Sequence, residues 1–405
     1  LSAIEPITLS EDQLQLHPLG RSLFRKAGIV GVVALAFTFV VSLFTADLRE
    51  RFFFSYLLNF TYFLSLSLGA LFFVALQHLT RSGWSVVVRR LAEFIAANVV
   101  LLAGLFVVVL LGLTHLYHWL DAEHVAQDSL LQHKQPYLNL PFFLIRCVFY
   151  FAVWSWLSRY YLTKSVELDE SGDVNLTLRM ERISAPGMIL YALTVTFAAF
   201  DLLMSLDAHW FSTIFGVYYF TGGFVGFVSL LALLAILLQK SGRLRHAITA
   251  EHYHDLGKLM FAFIFFWGYI AFSQFMLIWY ANIPEETGWF FQRQSGGWGW
   301  IGLILIFGHF ILPFLGLLSR YVKRRKKPLA FWAVWILLMH WIDLYWLILP
   351  EYGQEWFFFH SVLDIGCFIG IGGLFLACAC YLARDRALIP LKDPRLQESL
   401  TFENA

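Results

Sequence analysis

Charge is scarce in this chain. Only 14% of its 405 residues are Asp, Glu, Lys or Arg, where water-soluble proteins average about 25%. That shortage excludes an ordinary soluble globular protein. The formal net charge is +1, which points to neither nucleic acid nor an acidic partner. Cysteine is scarce too. Cys147, Cys367, Cys378 and Cys380 all lie in apolar segments, and none belongs to a C-x-x-C-H sequence that would attach a c-type haem. Cys378 and Cys380 point to different faces of a helix and make poor joint metal ligands. All four read as small buried apolar side chains. There is no phosphate-binding glycine loop followed by Lys, no H-E-x-x-H and no Cys/His zinc pattern. The expectation is therefore no metal site and no catalytic residue. The first 27 residues are polar and mixed in charge, unlike a signal peptide.

What the chain has in abundance is apolar length. Hydrophobic residues make up 59%, with 15 Trp, 17 Tyr and 42 Phe. Many aromatics sit at the ends of apolar runs, as an interfacial belt requires. Runs of about 20 apolar residues cross a bilayer. Ten are present, at 28–46, 52–76, 94–116, 141–162, 186–206, 211–238, 259–281, 298–318, 329–349 and 361–383. Lipid offers no partner to exposed backbone amides, so each must be a helix. The fold class expected is an all-α polytopic membrane protein. Residues 1–27 form an N-terminal segment, 28–383 the transmembrane domain and 384–405 a C-terminal tail.

The basic residues orient it. Alternate connections carry 24 Lys and Arg against four, with Arg146 inside a span. This asymmetry puts both termini in the cytoplasm. The run Lys323–Lys327 reads as an orientation signal and a contact for anionic lipid. Residues 169–177, DESGDVNLT, faintly resemble a calcium loop. Val174 stands where glycine is required and Met180 where glutamate is, so calcium is rejected.

Ionisable residues within spans are costly and ask for a reason. Arg146 lies toward the outside on span 4, and Asp201 in the outer half of span 5. Asp207 and His209 occupy the outer turn after it. His340 and Asp343 are i and i+3 on span 9, and His360 and Asp364 are i and i+4 on span 10. Each of those two pairs shares a helix face. Spans 9 and 10 are expected side by side. The carboxylates outnumber the buried cations, so these eight residues are read as a polar cluster open to the outside. It would serve a proton pathway or lie near a quinone. The competing reading is structural, with Arg146 neutralising an Asp and the pairs locking helices. On the inner side, Asp255 and Lys258 stand at the membrane boundary, most simply as a solvated helix start. His309 lies mid-span, at a depth similar to His340. Pro313 should kink span 8 and free a carbonyl beside His309. Glu93 is read as an interfacial ion pair with Arg89 and Arg90.

Four stretches carry a resemblance: FDLLMSLDAHWFSTIFGVYYFTGGF (200–224), HDLGKLMFAF (254–263), WGYIAFSQFMLIWYANIPEET (267–287) and HWIDLYWLILPEY (340–352). They resemble the NrfD/PsrC-like family of quinone-interacting membrane subunits, found in bacterial respiratory assemblies such as alternative complex III. The resemblance runs from about residue 185 to 360. It implies two four-helix bundles, helices 2–5 and 6–9, with flanking helices. It also implies a place in a quinol:cytochrome c or quinol:acceptor oxidoreductase of the bacterial cytoplasmic membrane. Such members bind no haem or iron–sulfur centre themselves. Those centres belong to multihaem and monohaem cytochrome c subunits and an iron–sulfur subunit, beside a second, homologous NrfD-like membrane subunit. Support of the membrane arm, proton conduction and a quinone site are the functions it suggests. Two rival readings are a secondary transporter using intramembrane carboxylates and a purely structural anchor.

The topology has a direct test. In a cysteine-free background, single cysteines at Ala208 and Gln354 should react with an impermeant thiol reagent added outside, and one at Lys326 should not. The reverse pattern would overturn every depth assigned above.

Overall fold

The computed structural model describes residues 14–353 and 358–404, with the side chains of 358–360 outside that description. Ten helices are long and apolar enough to cross a membrane. They are α1 (Leu19–Ser42), α2 (Ala46–Leu79), α3 (Val86–Leu111), α4 (Leu140–Ser171), α5 (Val174–Leu206), α6 (Phe215–Lys240), α7 (Ala250–Ala281), α8 (Trp298–Leu318), α9 (Lys326–Glu351) and α10 (Ser361–Ala383). No strand occurs among the described residues. The protein is an all-α, multi-span membrane protein. Several helices run well past the hydrophobic runs that predict them, because polar ends continue the helix beyond the hydrocarbon. α2 begins at Ala46, where the Thr45 hydroxyl accepts the Leu48 amide at 3.1 Å and Asp47 occupies the first turn.

α2 is the axis of the fold. Residues 51–71 are buried on every face, the mark of a helix with neighbours all round. α2 to α5 pack as one four-helix bundle and α6 to α9 as a second, joined where α2 meets α6. α1 and α10 pair with each other and lie on α2. Small residues allow these crossings. A Cβ on Gly69 would stand 2.9 Å from the Gly223 carbonyl oxygen, and one on Gly373 only 2.8 Å from the Gly31 Cα. The expectation that α10 packs beside α9 is corrected here: α10 takes α1 and α2 as its main neighbours.

α8 carries a π-helical segment, Leu305–Ile311, just before Pro313. In a π turn the amide of residue 313 would bond the carbonyl of residue 308, but proline has no N–H. Trp335 fills the gap, donating its indole N–H to the Gly308 oxygen at 2.7 Å. The proline does disturb the helix, but the carbonyl that Trp335 takes is that of Gly308.

The basic ends of the helices are tied together by the C-terminal tail. Asp393 pairs with Arg89, Arg395 with Glu181 at 2.8 Å, and the Asp169 carboxylate accepts the Leu391 amide at 2.7 Å. Ser399 donates to the Trp84 carbonyl at 2.7 Å. Glu93 does sit with Arg89 and Arg90, the latter at 3.0 Å, but it is 1% exposed and so buried under the tail rather than interfacial. Removing one partner of such a pair strands a buried charge, at about 3 kcal/mol or more. Asp393→Ala should therefore lower the melting temperature of the detergent-solubilised protein by several degrees. An unchanged melting curve would mean the tail is not a clamp.

Candidate functional site

The outer residues that the sequence groups together are divided among four places. In the α2–α5 bundle, Arg146 grips Asp201 with two hydrogen bonds of 2.8 Å, and Tyr150 donates to the same carboxylate at 2.7 Å. The guanidinium also donates to the Tyr137 carbonyl at 3.0 Å and lies 3.8 Å from the Tyr137 ring centroid. This carboxylate is saturated by a fixed cation. The structural reading of the Asp201–Arg146 pair is the one its geometry fits.

A second carboxylate, Asp364 on α10, has its own cation. Arg51 approaches it at 2.6 Å and Ser55 donates at 2.7 Å. Arg51 is assigned to a connection when the span is started at residue 52, but the helix begins a turn and a half earlier and carries it inside, 3% exposed. The expected shortage of buried cations is thus corrected. The His360 side chain lies outside the described residues.

The third carboxylate differs. Asp343 on α9 is 1% exposed and accepts hydrogen bonds from two neutral groups, the Tyr218 hydroxyl of α6 and, at 3.1 Å, the Trp267 indole of α7. Among the described residues no Lys, Arg or His forms an ion pair with it. His340, one turn away, shares a hydrogen bond of 2.8 Å with Ser65 of α2, and its Nδ1 has no partner. The two share a face, as their spacing predicts, but no hydrogen bond joins them. His309, in the π segment of α8, stacks on Trp267 with ring centroids 4.0 Å apart, and neither of its ring nitrogens has a partner among the described residues. Buried polar atoms are nearly always satisfied, by protein or by ordered water.

Above Asp343 the outer end of this bundle is closed. Arg293 donates to the Leu347 carbonyl and pairs with Glu351, both at 2.8 Å, while its guanidinium lies 3.5 Å from the Trp289 ring centroid. Burial lowers this guanidinium to about 10, against the opposing pull of Glu351. It stays cationic at neutral pH. Trp210 and Trp289 stack beside it at 4.2 Å.

Asp207 and His209 do not join any of these sites. They form an outer clasp: His209 meets Asp128 at 2.5 Å and Asp207 at 3.7 Å, and Lys134 donates to the Ala208 carbonyl at 2.6 Å. The hydrogen bond from His209 holds the half-buried Asp128 carboxyl below the usual carboxylate range. On the inner side Asp255 pairs with Lys258, which also donates to Asn404 at 3.0 Å, within the first turns of α7. No group of three or more His, Cys, Asp or Glu among the described residues is placed to hold a metal ion.

Sequence reasoning passed over Tyr218, Trp267, Ser65 and Arg51. The first two lie in the quoted stretches GVYYF and WGYIAF, where they look like ordinary membrane aromatics. No family model matches this chain, and no curated protein aligns with it.

The three carboxylates should separate by stability. Asp201→Asn and Asp364→Asn each leave a buried guanidinium without its anion and should destabilise the protein by about 3–5 kcal/mol. Asp343→Asn keeps one oxygen to accept from the Trp267 indole and turns its amide N–H toward the Tyr218 oxygen, which can accept, so it should cost about 1 kcal/mol, well short of the other two. Equal losses of thermal stability in all three would refute the distinction.

Proposed function

We propose that this chain is a proton-handling membrane subunit of a respiratory quinol-oxidising complex in the bacterial cytoplasmic membrane. The subunit it resembles is ActF of alternative complex III. The observation that carries the protonic part is Asp343: a carboxylate in the membrane, buried among neutral donors, beside two imidazoles with unpaired nitrogens. A desolvated carboxylate without a cation relieves its cost by taking a proton. Asp343 is thus held by neutral donors, where Asp201 and Asp364 are each paired with a guanidinium, of Arg146 and Arg51.

Oxidising a quinol releases two electrons and two protons. Bases on this chain would take the protons. The electrons need a redox centre, which the resemblance assigns to the cytochrome c and iron–sulfur partners. The homologous membrane subunit, ActC in alternative complex III, is the better place for the main quinol site. The two Arg–Asp pairs favour a scaffold role for α2, α4, α5 and α10 in the same chain. An anchor without proton traffic and a transporter remain the rivals.

Three measurements decide among these. Haem-bearing subunits should co-purify with the chain, and vesicles holding the chain alone should show no solute flux. In the assembled complex, Asp343→Asn should slow quinol turnover by about tenfold or more, or lower the proton-to-electron ratio in liposomes, with assembly intact. Wild-type turnover and wild-type proton release in that variant would leave only the anchor reading.

A further inference from the structure

An apolar groove of about 560 Å³ lies where α10 turns away from α9. Its walls include Tyr62 of α2, Leu234 of α6, Leu338 and Trp341 of α9, and Phe368 and Ala379 of α10. The volume is that of a ligand site, within the usual range of about 300–1,000 Å³. The lining is hydrocarbon throughout. The Tyr62 hydroxyl is spent on the Leu337 carbonyl at 3.2 Å, and the Trp341 indole N–H on the Asn59 oxygen at 2.9 Å. A ring with carbonyl oxygens would find no donor here, so the groove suits a chain.

Its length and depth suit one leaflet. The α10 wall runs from Ile365 to Ala379, roughly 20 Å of helix at 1.5 Å per residue. Half of a bilayer's hydrocarbon core is about 15 Å. Most of the lining, from Tyr62 and Leu338 near mid-span to Ile95, Leu234 and Ala379 near the basic ends of their helices, lies in the basic-side half, the α10 wall runs on past the middle to Ile365, and Leu338 on the rim is 50% exposed. Cations stand at the basic end. Lys327 lies seven residues before Val334 of the α9 wall and so on the same face. Lys240 ends α6. Both are exposed, and neither pairs with a described residue.

We infer that this groove binds one acyl chain of an anionic phospholipid from the basic-side leaflet, with its phosphate beside Lys327 and Lys240. Lipid tails gain no hydrophobic energy by moving from bilayer to groove. The chain therefore supplies shape, and the two cations supply preference, about fivefold each. This site is independent of the proposed proton role.

Native mass spectrometry of the full chain tests it, with phosphatidylglycerol and phosphatidylcholine of identical tails. Wild type should retain one phosphatidylglycerol, at least about tenfold over phosphatidylcholine. Leu338→Trp, which fills the groove from its lipid side, should abolish retention of both while the melting curve holds. Lys240→Gln with Lys327→Gln should bring the two lipids near parity while keeping the chain bound. Equal retention of both lipids by wild type, or retention unchanged in Leu338→Trp, overturns the inference. Displacement of phosphatidylglycerol by an uncharged long-tailed quinone would overturn it in favour of an isoprenoid tail.

Discussion

Inside the hydrocarbon layer a carboxylate must be neutralised by the protein itself, and the helices of this chain are arranged around three solutions to that demand. Two use a guanidinium. Arg51 reaches Asp364 from α2 to α10, and Arg146 reaches Asp201 from α4 to α5. Each pair ties a helix to its neighbour with a bond that cannot be moved without stranding a charge. The third uses only a hydroxyl and an indole around Asp343. The first two sites are therefore fixed by a charge pair. The third is held in position by neutral groups.

The helix count was legible because it rests on a coarse quantity, apolar length. Helix ends were less legible. Arg51 looked like a loop residue, since a charge ends an apolar run whether or not it ends a helix. Thr45 as cap and Asp47 in the first turn were the local signals that α2 starts earlier. The site was half legible. His340 and Asp343 were found by spacing, because i and i+3 share a face. Spacing on one helix says nothing about what the neighbouring helix presents. Hence Arg146, Asp201 and Asp364 were grouped with Asp343, although each had its own partner elsewhere. Tyr218 and Trp267 escaped notice because their polar atoms are a small part of side chains the membrane uses everywhere.

The tail and the π segment show a related limit. A short polar C-terminus after the last span reads as a solvated end. Here it carries Asp393 and Arg395 onto the basic ends of α3 and α5, and closes over Arg89, Arg90 and Glu93. Charges that would be ordinary at an interface become buried because the tail covers them. In α8, Pro313 predicts a disturbance but not its form. The extra residue of the π turn sets His309 against Trp267, which in turn bonds Asp343. The backbone irregularity and the carboxylate thus belong to one contact chain, joining α6, α7, α8 and α9.

The packing of α6 bears on what reaches Asp343. Gly222 and Gly226 face His340 and Asp343. A Cβ on Gly222 would stand 3.1 Å from the His340 Nδ1 and 3.4 Å from an Asp343 carboxylate oxygen, and one on Gly226 only 2.9 Å from the His340 Cδ2. α6 comes this close because its glycines let it, and on its other side a Cβ on Gly223 would stand 2.9 Å from the Ser65 Cβ of α2. A Lys or Arg needs several bond lengths of side chain to reach a carboxylate. At Gly222 and Gly226 there is no such space. Only the tips of Tyr218 and Trp267, entering from one turn above and from α7, fit around the carboxylate. Close packing of glycine helices is the same feature that fastens the two bundles together at α2 and α6. Asp343 thus sits where the two bundles are joined, at a crossing that glycines close and neutral side chains complete.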